Sequence, residues 1–454
     1  MPRHEDQAIG IATQNPFRAT TEAEPLTLRR IAEKVASALQ ILMLCGLGAI
    51  FSWLLLARVQ VGRRLDDIRE RGEPATLAEL SGHIKVPEDQ VDSSDAWNAA
   101  VNTIDLHMIE PAGPLPFVGT GAAPAGIDYE WESLNAARDF LNQHSAQIEA
   151  VHSAAASGNH AAFPRRFSET DDPQHLKKLR WMTRVLQLDA HVAVLSGDRD
   201  RLLTAIKTQV AIVNALRYEA DITGQLTRFG LLATARATKE TLLPHANPSD
   251  ADLAELQTQL LDSNIKSGLH RTLIGERLLV LEQIEEAPWP IHGPLGVCCL
   301  DYYDEWIGLL EHDWPTLIPE HTRLSAAPTT TRLFTFPLAS ADVWLTRSAA
   351  RTEALRRCEI VSLALWRHQL KYGTTPQKLD QIADEFLTDI AGKRVLTDPF
   401  DGKQLRFRVT NGGWMVYSIG HDLVDNGGDL DTHYTSRRHG EGGDCGFELA
   451  VPVP

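Results

Sequence analysis

The feature that most constrains this chain is a segment of 23 residues, from Val35 to Ala57, that contains no charged side chain. At about 1.5 Å per residue, a helix of this length measures roughly 34 Å, which is enough to cross a hydrocarbon core of about 30 Å. Trp53 lies near one end, where aromatic side chains anchor membrane helices. Core helices of water-soluble proteins rarely stay apolar on every face over such a length. The sequence therefore predicts a transmembrane helix over residues 35–57.

A cleaved signal peptide is the closest alternative to an uncleaved anchor. The segment is preceded by 34 residues and is longer than the roughly 7–15 apolar residues of a signal peptide. It also ends in Leu54-Leu-Leu-Ala57 followed by Arg58, without a small-residue cleavage site. We therefore expect a single-pass signal anchor that holds the protein in a membrane.

The orientation of the anchor is not decided by its flanking charges. Three basic residues on one side are balanced by three on the other, namely Arg29, Arg30 and Lys34 against Arg58, Arg63 and Arg64. A long domain crosses the membrane largely regardless of such charges. Because we identify no second span, we expect a cytoplasmic N-terminus and an extracytoplasmic C-terminal domain.

Net charge excludes one class of partner. The chain carries a formal charge of −16, and residues 1–57 hold five basic and five acidic side chains, so the whole excess lies beyond the anchor. Without a Lys/Arg-rich block or a basic surface, we expect no nucleic-acid partner. Five cysteines among 454 residues also exclude a disulfide-framework protein.

Composition and periodicity divide the chain into six parts. These are a flexible cytoplasmic tail (1–34), the transmembrane helix (35–57), a stalk with short helices (58–109), a Pro/Gly linker (110–128), an α-helical domain (129–340) and a C-terminal module (341–454). Within the helical domain, apolar residues recur at spacings of three and four on both sides of Gly197-Asp198, which predicts an αα-hairpin. Ser249 or Asp250 is the expected N-cap of a later helix.

The period of the sequence changes to two only near the C-terminus. A long helix is predicted over 341–372, followed by a shorter one from Thr375-Pro376 to Phe386. Apolar and polar residues then alternate over 405–409, and Asn411-Gly-Gly predicts a hairpin turn into a second strand. Residues 447–451 are the expected last strand. The predicted fold is thus mostly α, with a small C-terminal α+β module that contains an antiparallel sheet.

This C-terminal part resembles the globular module of the major pseudopilin of type II secretion systems. The matching elements occur in the same order over about ninety residues: Ala364-Leu365 in a helix ending at Gly373, Asp398-Pro-Phe400, the Leu405–Phe407 strand, Tyr417-Ser-Ile-Gly-His-Asp422 and Asn426-Gly-Gly428. The whole layout, including Gly72–Leu80 and Asn98-Ala-Ala100, is similar to that of a family of bacterial single-span proteins without an established activity. The resemblance implies a pseudopilin-like head and a place in the bacterial inner membrane, with the C-terminal domain in the periplasm. It implies no reaction.

An acidic, glycine-rich loop near the C-terminus is the best candidate for a ligand site. Five aspartates occur within 23 residues, namely Asp422, Asp425, Asp429, Asp431 and Asp444. Carboxylate and carbonyl oxygens are the ligands of Ca²⁺, so we predict a structural calcium site. The pseudopilin resemblance implies the same ion, with Asp422 and Asp444 nearest the ligand positions. A solvated acidic loop, in which Asp and Gly simply favour turns, is the alternative.

Other groups that carry chemistry are scattered. Acidic clusters at Glu285-Glu286 and at Asp301, Asp304 and Glu305 offer paired carboxylates, and aromatic residues between Trp289 and Trp314 suit either a groove or the core. No metalloprotease, nucleophile-elbow or phosphate-loop motif is present. We therefore predict no catalytic residue and no organic cofactor.

Three classes of function follow from these observations. The first is a membrane-anchored envelope protein with a non-catalytic helical interaction or scaffolding domain, which binds protein partners. The second is an accessory component of a type II secretion or pilus-like system. The third is a membrane-tethered enzyme whose site is assembled from residues distant in the sequence.

Overall fold

A computed structural model describes most of the chain from residue 23 to residue 451. The described residues are 23–105, 107, 112–122, 127, 131–165, 167, 172–286, 288–289, 291–326, 332–382, 384–387, 395–410, 412–430 and 443–451, with side chains from residue 29 onward except for 332–342. Residues 1–22 of the predicted tail, residues 110–111, 123–126 and 128 of the predicted linker, and Asp431 of the acidic loop lie outside these residues.

Helices dominate the described residues, as predicted. They are α1 (Ala23–Glu70), α2 (Leu77–His83), α3 (Ser94–Asn102), α4 (Leu134–Gln143), α5 (Ser145–Ser157), α6 (Gln174–Leu195), α7 (Arg199–Ala215), α8 (Ile222–Leu242), α9 (Asp250–Asp262), α10 (Ile265–Glu285), α11 (His292–Leu309), α12 (Trp314–Ala326) and α13 (Arg332–Tyr372). A three-stranded sheet follows, formed by β1 (Arg406–Thr410), β2 (Gly413–Ser418) and β3 (Cys445–Leu449).

The helix α1 runs without a break through the apolar segment and 13 residues beyond it. The apolar side chains of residues 35–56 are largely exposed. By length and composition, α1 is long and apolar enough to cross a membrane. From Ala57 onward one face of α1 packs on α11, so that Ala57 and Ile68 are buried. The predicted stalk is therefore helical, but it is packed against the rest of the protein.

The predicted αα-hairpin is confirmed as α6 and α7. Gly197 adopts a φ of 68°, which glycine reaches at little cost, and Asp198 caps α7 by accepting a hydrogen bond from the backbone N–H of Arg201. Ser249 is the N-cap of α9 and forms a reciprocal capping box with Asp252. Local sequence signals were sufficient for these features because the bonds join residues three positions apart.

The helix α13 is the central element that joins the helical region to the sheet. It packs against α8, α9 and α12 and also against β2 and β3. Its side chains Cys358, Val361 and Leu365 are completely buried in one apolar cluster that continues from the helical region into the sheet. The C-terminal module therefore shares its core with the helices.

The sheet is antiparallel with the order β1-β2-β3, and a two-residue loop joins β1 to β2. Two sequence expectations are wrong here in detail. The last strand lies two residues earlier than predicted, and the predicted helix from Thr375 to Phe386 consists of two short 3₁₀ turns. In that segment the side chain of Gln381 accepts hydrogen bonds from the backbone N–H groups of Gln377 and Lys378, which fixes a tight turn in place of a helix.

Candidate functional site

The acidic loop is held together by hydrogen bonds between its own carboxylates and its backbone. Asp444 is completely buried just before β3 and accepts hydrogen bonds from the backbone N–H groups of Gly428, at 2.7 Å, and Asn426, at 3.3 Å. Burial raises the pKa of Asp444. This carboxylate therefore connects residues 426–428 to the start of β3.

The other described aspartates of the loop act separately. Asp425 accepts hydrogen bonds from the Tyr417 hydroxyl and the Gly427 backbone N–H, and Asp422 accepts one from the Val424 backbone N–H. Asp429 is exposed. Each of these bonds spans two to eight residues, a pattern typical of turns.

Within the described residues, no group of three or more His, Cys, Asp or Glu side chains is placed to hold a metal ion. Asp431, one of the five predicted ligands, lies outside the described residues. The calcium site stays a prediction, which a rise in melting temperature in millimolar Ca²⁺ would support and an unchanged melting temperature would contradict.

A buried carboxylate links the two halves of the pseudopilin-like sequence pattern. Asp398 is completely buried and accepts hydrogen bonds from the Ser418 hydroxyl at 2.7 Å and from the backbone N–H of Ile419 at 3.1 Å. It also accepts one from the Phe400 backbone and pairs with Arg406 at 2.8 Å. These bonds explain why Asp and Ser occur at these two positions, in terms of structure and without reference to a ligand.

A polar cleft of about 490 Å³ lies where α8 and α13 meet β3. It is lined by Arg236 and Glu240 of α8, Arg351 of α13 and Glu448 of β3. Arg236 pairs with Glu240 at 2.7 Å, and burial raises the pKa of Glu240 from 4.5 to about 7. Because the four residues come from three elements that are distant in the sequence, no sequence motif predicts the cleft.

A group of buried charged side chains connects the segment before α6 to the start of α8. Glu219 pairs with His175 at 2.8 Å and with Arg165 at 3.2 Å, and Arg165 also pairs with Asp221. Asp221 is in turn the N-cap of α8, since it accepts a hydrogen bond from the Gly224 backbone. The contacts join α6, the segment before α6 that contains Arg165, and the start of α8. We therefore assign this group a structural role.

At the junction between α1 and α11, Asp301 and Asp304, which the sequence offered only as paired carboxylates, form ion pairs with arginines. Arg64 of α1 pairs with both Asp301 and Asp304 of α11, and Asp304 also pairs with the buried Arg277 of α10. Arg277 continues the network to Glu73, which follows α1. These carboxylates therefore fix the end of the apolar helix to the domain.

Glycines allow the two helices of this junction to approach closely. A methyl group at Gly293 would lie 2.6 Å from the backbone nitrogen of Arg58, and one at Gly296 would lie 2.8 Å from the side chain of Val61. Beside the contact is a cleft of about 390 Å³, lined by α1, α2, α10 and α11. The junction is thus a close-packed interface with a cleft at its edge.

The aromatic residues between α10 and α12 divide into two groups. Tyr303, Trp306 and Trp314 are buried, and the ring of His321 stacks on Trp306 at 4.2 Å between centroids. Trp289 differs, because 53% of it is exposed and its ring lies 6.2 Å from that of Phe51 on the apolar part of α1. Most of the aromatic cluster is therefore core, and Trp289 lies beside the candidate membrane span.

The cysteines of the chain are free thiols. Cys299 is buried, and Cys298 is half-buried. Cys358 of α13 and Cys445 of β3 lie next to each other, with the Cys358 sulfur 4.0 Å from the Cys445 carbonyl oxygen. Burial raises the pKa of both of these thiols. Their environment is that of small apolar core residues.

Comparison with known proteins adds no relative: no protein-family model, no curated protein and no solved structure matches this chain. The pseudopilin resemblance therefore rests on the sequence motifs alone.

Proposed function

We propose that this protein is a single-pass membrane protein whose α1 holds a non-catalytic helical interaction or scaffolding domain at a fixed position on the membrane. The observation that carries the proposal is the continuity of α1. The same helix is exposed and apolar over residues 35–56 and docked on α11 from Ala57 to Ile68.

The exposed apolar surface supports a membrane as the environment of residues 35–56. Leu42 and Leu44 are each 68% exposed, and most large apolar side chains between Val35 and Leu56 are more than half exposed. Removing one such side chain from water is worth about 1.5–3 kcal/mol, so a helix of this composition is unstable in water and stable in a bilayer.

The docked part of α1 supports an uncleaved anchor over a removed signal peptide. Cleavage after Ala57 would leave the chain terminus against Gly293, in the middle of the contact with α11. It would also detach the Arg64 contact network from the helix that positions it. We propose the bacterial inner membrane as the location, with the domain in the periplasm, following the resemblance and the ease with which long domains translocate.

A scaffolding role is supported by the rigidity of the attachment. A flexible tether lets a domain search a volume, whereas a helix packed on the domain presents it at one height and one orientation. Ion pairs on α1, at the start of α8 and on α13 make structural contacts within the domain. The polar cleft at Glu240 is the feature that favours the alternative of a membrane-tethered enzyme.

One experiment with spin labels tests both the insertion of α1 into the membrane and the rigid attachment of the domain to α1. Leu47 on the apolar part of α1 and Leu423 on the loop after β2 are both exposed and accept a labelled cysteine, in a chain with Cys45 and Cys298 replaced by Ala. In reconstituted vesicles we expect one narrow distance distribution between the labels. A broad distribution would contradict rigid attachment, and release of the protein by alkaline carbonate would contradict the anchor.

The interaction role is tested by crosslinking in intact cells, followed by detergent solubilisation, purification and mass spectrometry. The control is a chain with residues 1–57 fused to an unrelated soluble domain. Partners enriched only with the natural domain support scaffolding, and subunits of a secretion system among them favour the accessory role. An absence of enriched partners would contradict both.

A further inference from the structure

The loop between α10 and α11 has an unusual position for an exposed aromatic residue. Trp289 and Pro288 are exposed at its tip, and the Trp289 ring lies against Phe51, six residues before Ala57 on α1. We infer that Trp289 is a second membrane contact of the domain and inserts into the interfacial region of the bilayer beside the span. The inference rests on the proposed anchor.

The height of Trp289 relative to the bilayer follows from the geometry of the helix. If the hydrocarbon ended at Ala57, Phe51 would lie about 9 Å inside it, at about 1.5 Å per residue. The centroid of the Trp289 ring lies 6.2 Å from that of Phe51. The apolar segment is roughly 4 Å longer than a hydrocarbon core of about 30 Å, which equals about three residues. If this whole excess lies on the domain side, Phe51 is still about 5 Å inside the hydrocarbon, and a ring 6.2 Å away from it lies close to the hydrocarbon boundary.

The neighbouring residues limit how deep the loop reaches. Glu285 and Glu286 are exposed at the end of α10, directly before the tip, and Arg58 and His292 lie beside Trp289 in the small cleft between the loop and α1. Carboxylates and guanidinium groups stay in water or among headgroups. Indole rings favour this same layer, because one edge is apolar and the ring nitrogen can donate a hydrogen bond.

The rigid junction with α1 makes this contact obligatory once the span is inserted. Gly293 of α11 follows Trp289 by four residues and is in direct contact with the α1 backbone at Arg58. Because the loop is fixed to α1 at this point, Trp289 cannot leave the membrane surface without separating the two helices. The domain is thereby held down at two points, which fixes its rotation about the helix axis as well as its height.

The test measures the depth of a fluorescent label at three positions of the full-length chain reconstituted in phosphatidylcholine vesicles. Single cysteines replace Trp289, Leu423 or Leu47 in a chain that carries Ala at Cys45 and Cys298, and each is labelled with a nitrobenzoxadiazole dye. The remaining cysteines are buried and do not compete for the dye. Lipids carry a nitroxide quencher either near the headgroup or near the end of the acyl chain.

We expect the label at 289 to lose emission to the headgroup-level quencher more than to the deep one. The label at 47 should show the reverse order, and the label at 423 should lose little emission to either. Equal emission from 289 and 423, with 47 quenched, would overturn the inference and leave the anchor intact. An unquenched label at 47 would overturn the proposed anchor itself. Labelling of 289 by a membrane-impermeant maleimide as fast as 423 would also contradict the insertion.

Discussion

The amino group of Lys239 on α8 lies 2.8 Å from a carboxylate oxygen of Glu359 on α13, and both side chains are excluded from solvent. This ion pair joins the helical region to the central helix in a place that water does not reach. A buried pair of this kind is costly to form but far more costly to break, because removal of one partner leaves the other charge without compensation.

For this pair, we predict that Glu359→Gln destabilises the protein by about 3–5 kcal/mol. The double variant Lys239→Met with Glu359→Gln should recover most of that loss, because it removes both charges. Denaturant unfolding of the natural protein, of the single variants Lys239→Met and Glu359→Gln, and of the double variant gives the coupling energy. As a control, Glu385→Gln at the exposed pair with Lys371 should change the unfolding free energy little. A double variant as unstable as the single one would contradict the prediction.

At the polar cleft, the raised pKa of Glu240 predicts a pH-dependent stability. Its folded-state pKa of about 7 exceeds the ordinary value of 4.5, because burial and the nearby Glu359 oppose ionisation more than Arg236 and the Glu448 backbone favour it. Protonation of this group therefore stabilises the folded state. The stabilisation is complete below about pH 4.5 and is lost as the pH rises through 7, at a cost of up to about 3 kcal/mol.

The measurement that checks this prediction compares the natural protein with Glu240→Gln at pH 5 and at pH 8. The variant cannot ionise, so its unfolding free energy relative to the natural protein should rise between the two pH values. A difference that does not change with pH would show that Glu240 titrates near its ordinary value.

Close packing at the anchor junction predicts opposite effects for two glycines of α11. Gly293→Ala places a methyl group against the backbone of Arg58, so α1 and α11 must separate, at a cost of about 1–3 kcal/mol. Gly308→Ala on the same helix meets nothing within 4 Å and should stabilise the helix by up to about 1 kcal/mol. Thermal unfolding in detergent checks both. Similar changes in the two variants would contradict close contact at Gly293.

Asp398 is predicted to be essential for the C-terminal sheet. Asp398→Ala removes the acceptor for two backbone N–H groups and the Ser418 hydroxyl and leaves Arg406 with Asp401 as its main partner. We expect a loss of about 3–5 kcal/mol, as for other buried paired charges. Hydrogen exchange should locate it in β1 and β2, while α6 and α7 keep their protection. Uniform loss of protection would instead indicate that the sheet and helices unfold as one unit.

Much of the fold could be predicted because its signals are local. The αα-hairpin, the N-cap of α9 (predicted at Ser249 or Asp250 and found at Ser249) and the end of α13 at Gly373 each depend on residues within one or two helical turns. Prediction from local signals failed after Gly373, where a helix was expected. There the Gln381 side chain accepts hydrogen bonds from nearby backbone N–H groups, and the segment forms tight turns. The candidate sites were less predictable. Aspartates close together in the sequence made separate turn contacts, while Arg236, Glu240, Arg351 and Glu448 met in one cleft from three distant elements.

The uncharged segment from Val35 to Ala57 was evident in the sequence alone, because the transfer of apolar side chains from water depends on composition and length. What lies beyond its end was decided by tertiary structure. Arg64 meets Asp304 across 240 positions, and Trp289 meets Phe51 across the same junction. Such contacts form only when α1 and α11 pack together, since no local preference brings together residues so far apart along the chain. The sequence alone therefore determined that the chain has a membrane-spanning candidate, and the packing of α1 decided that the domain is fixed to it.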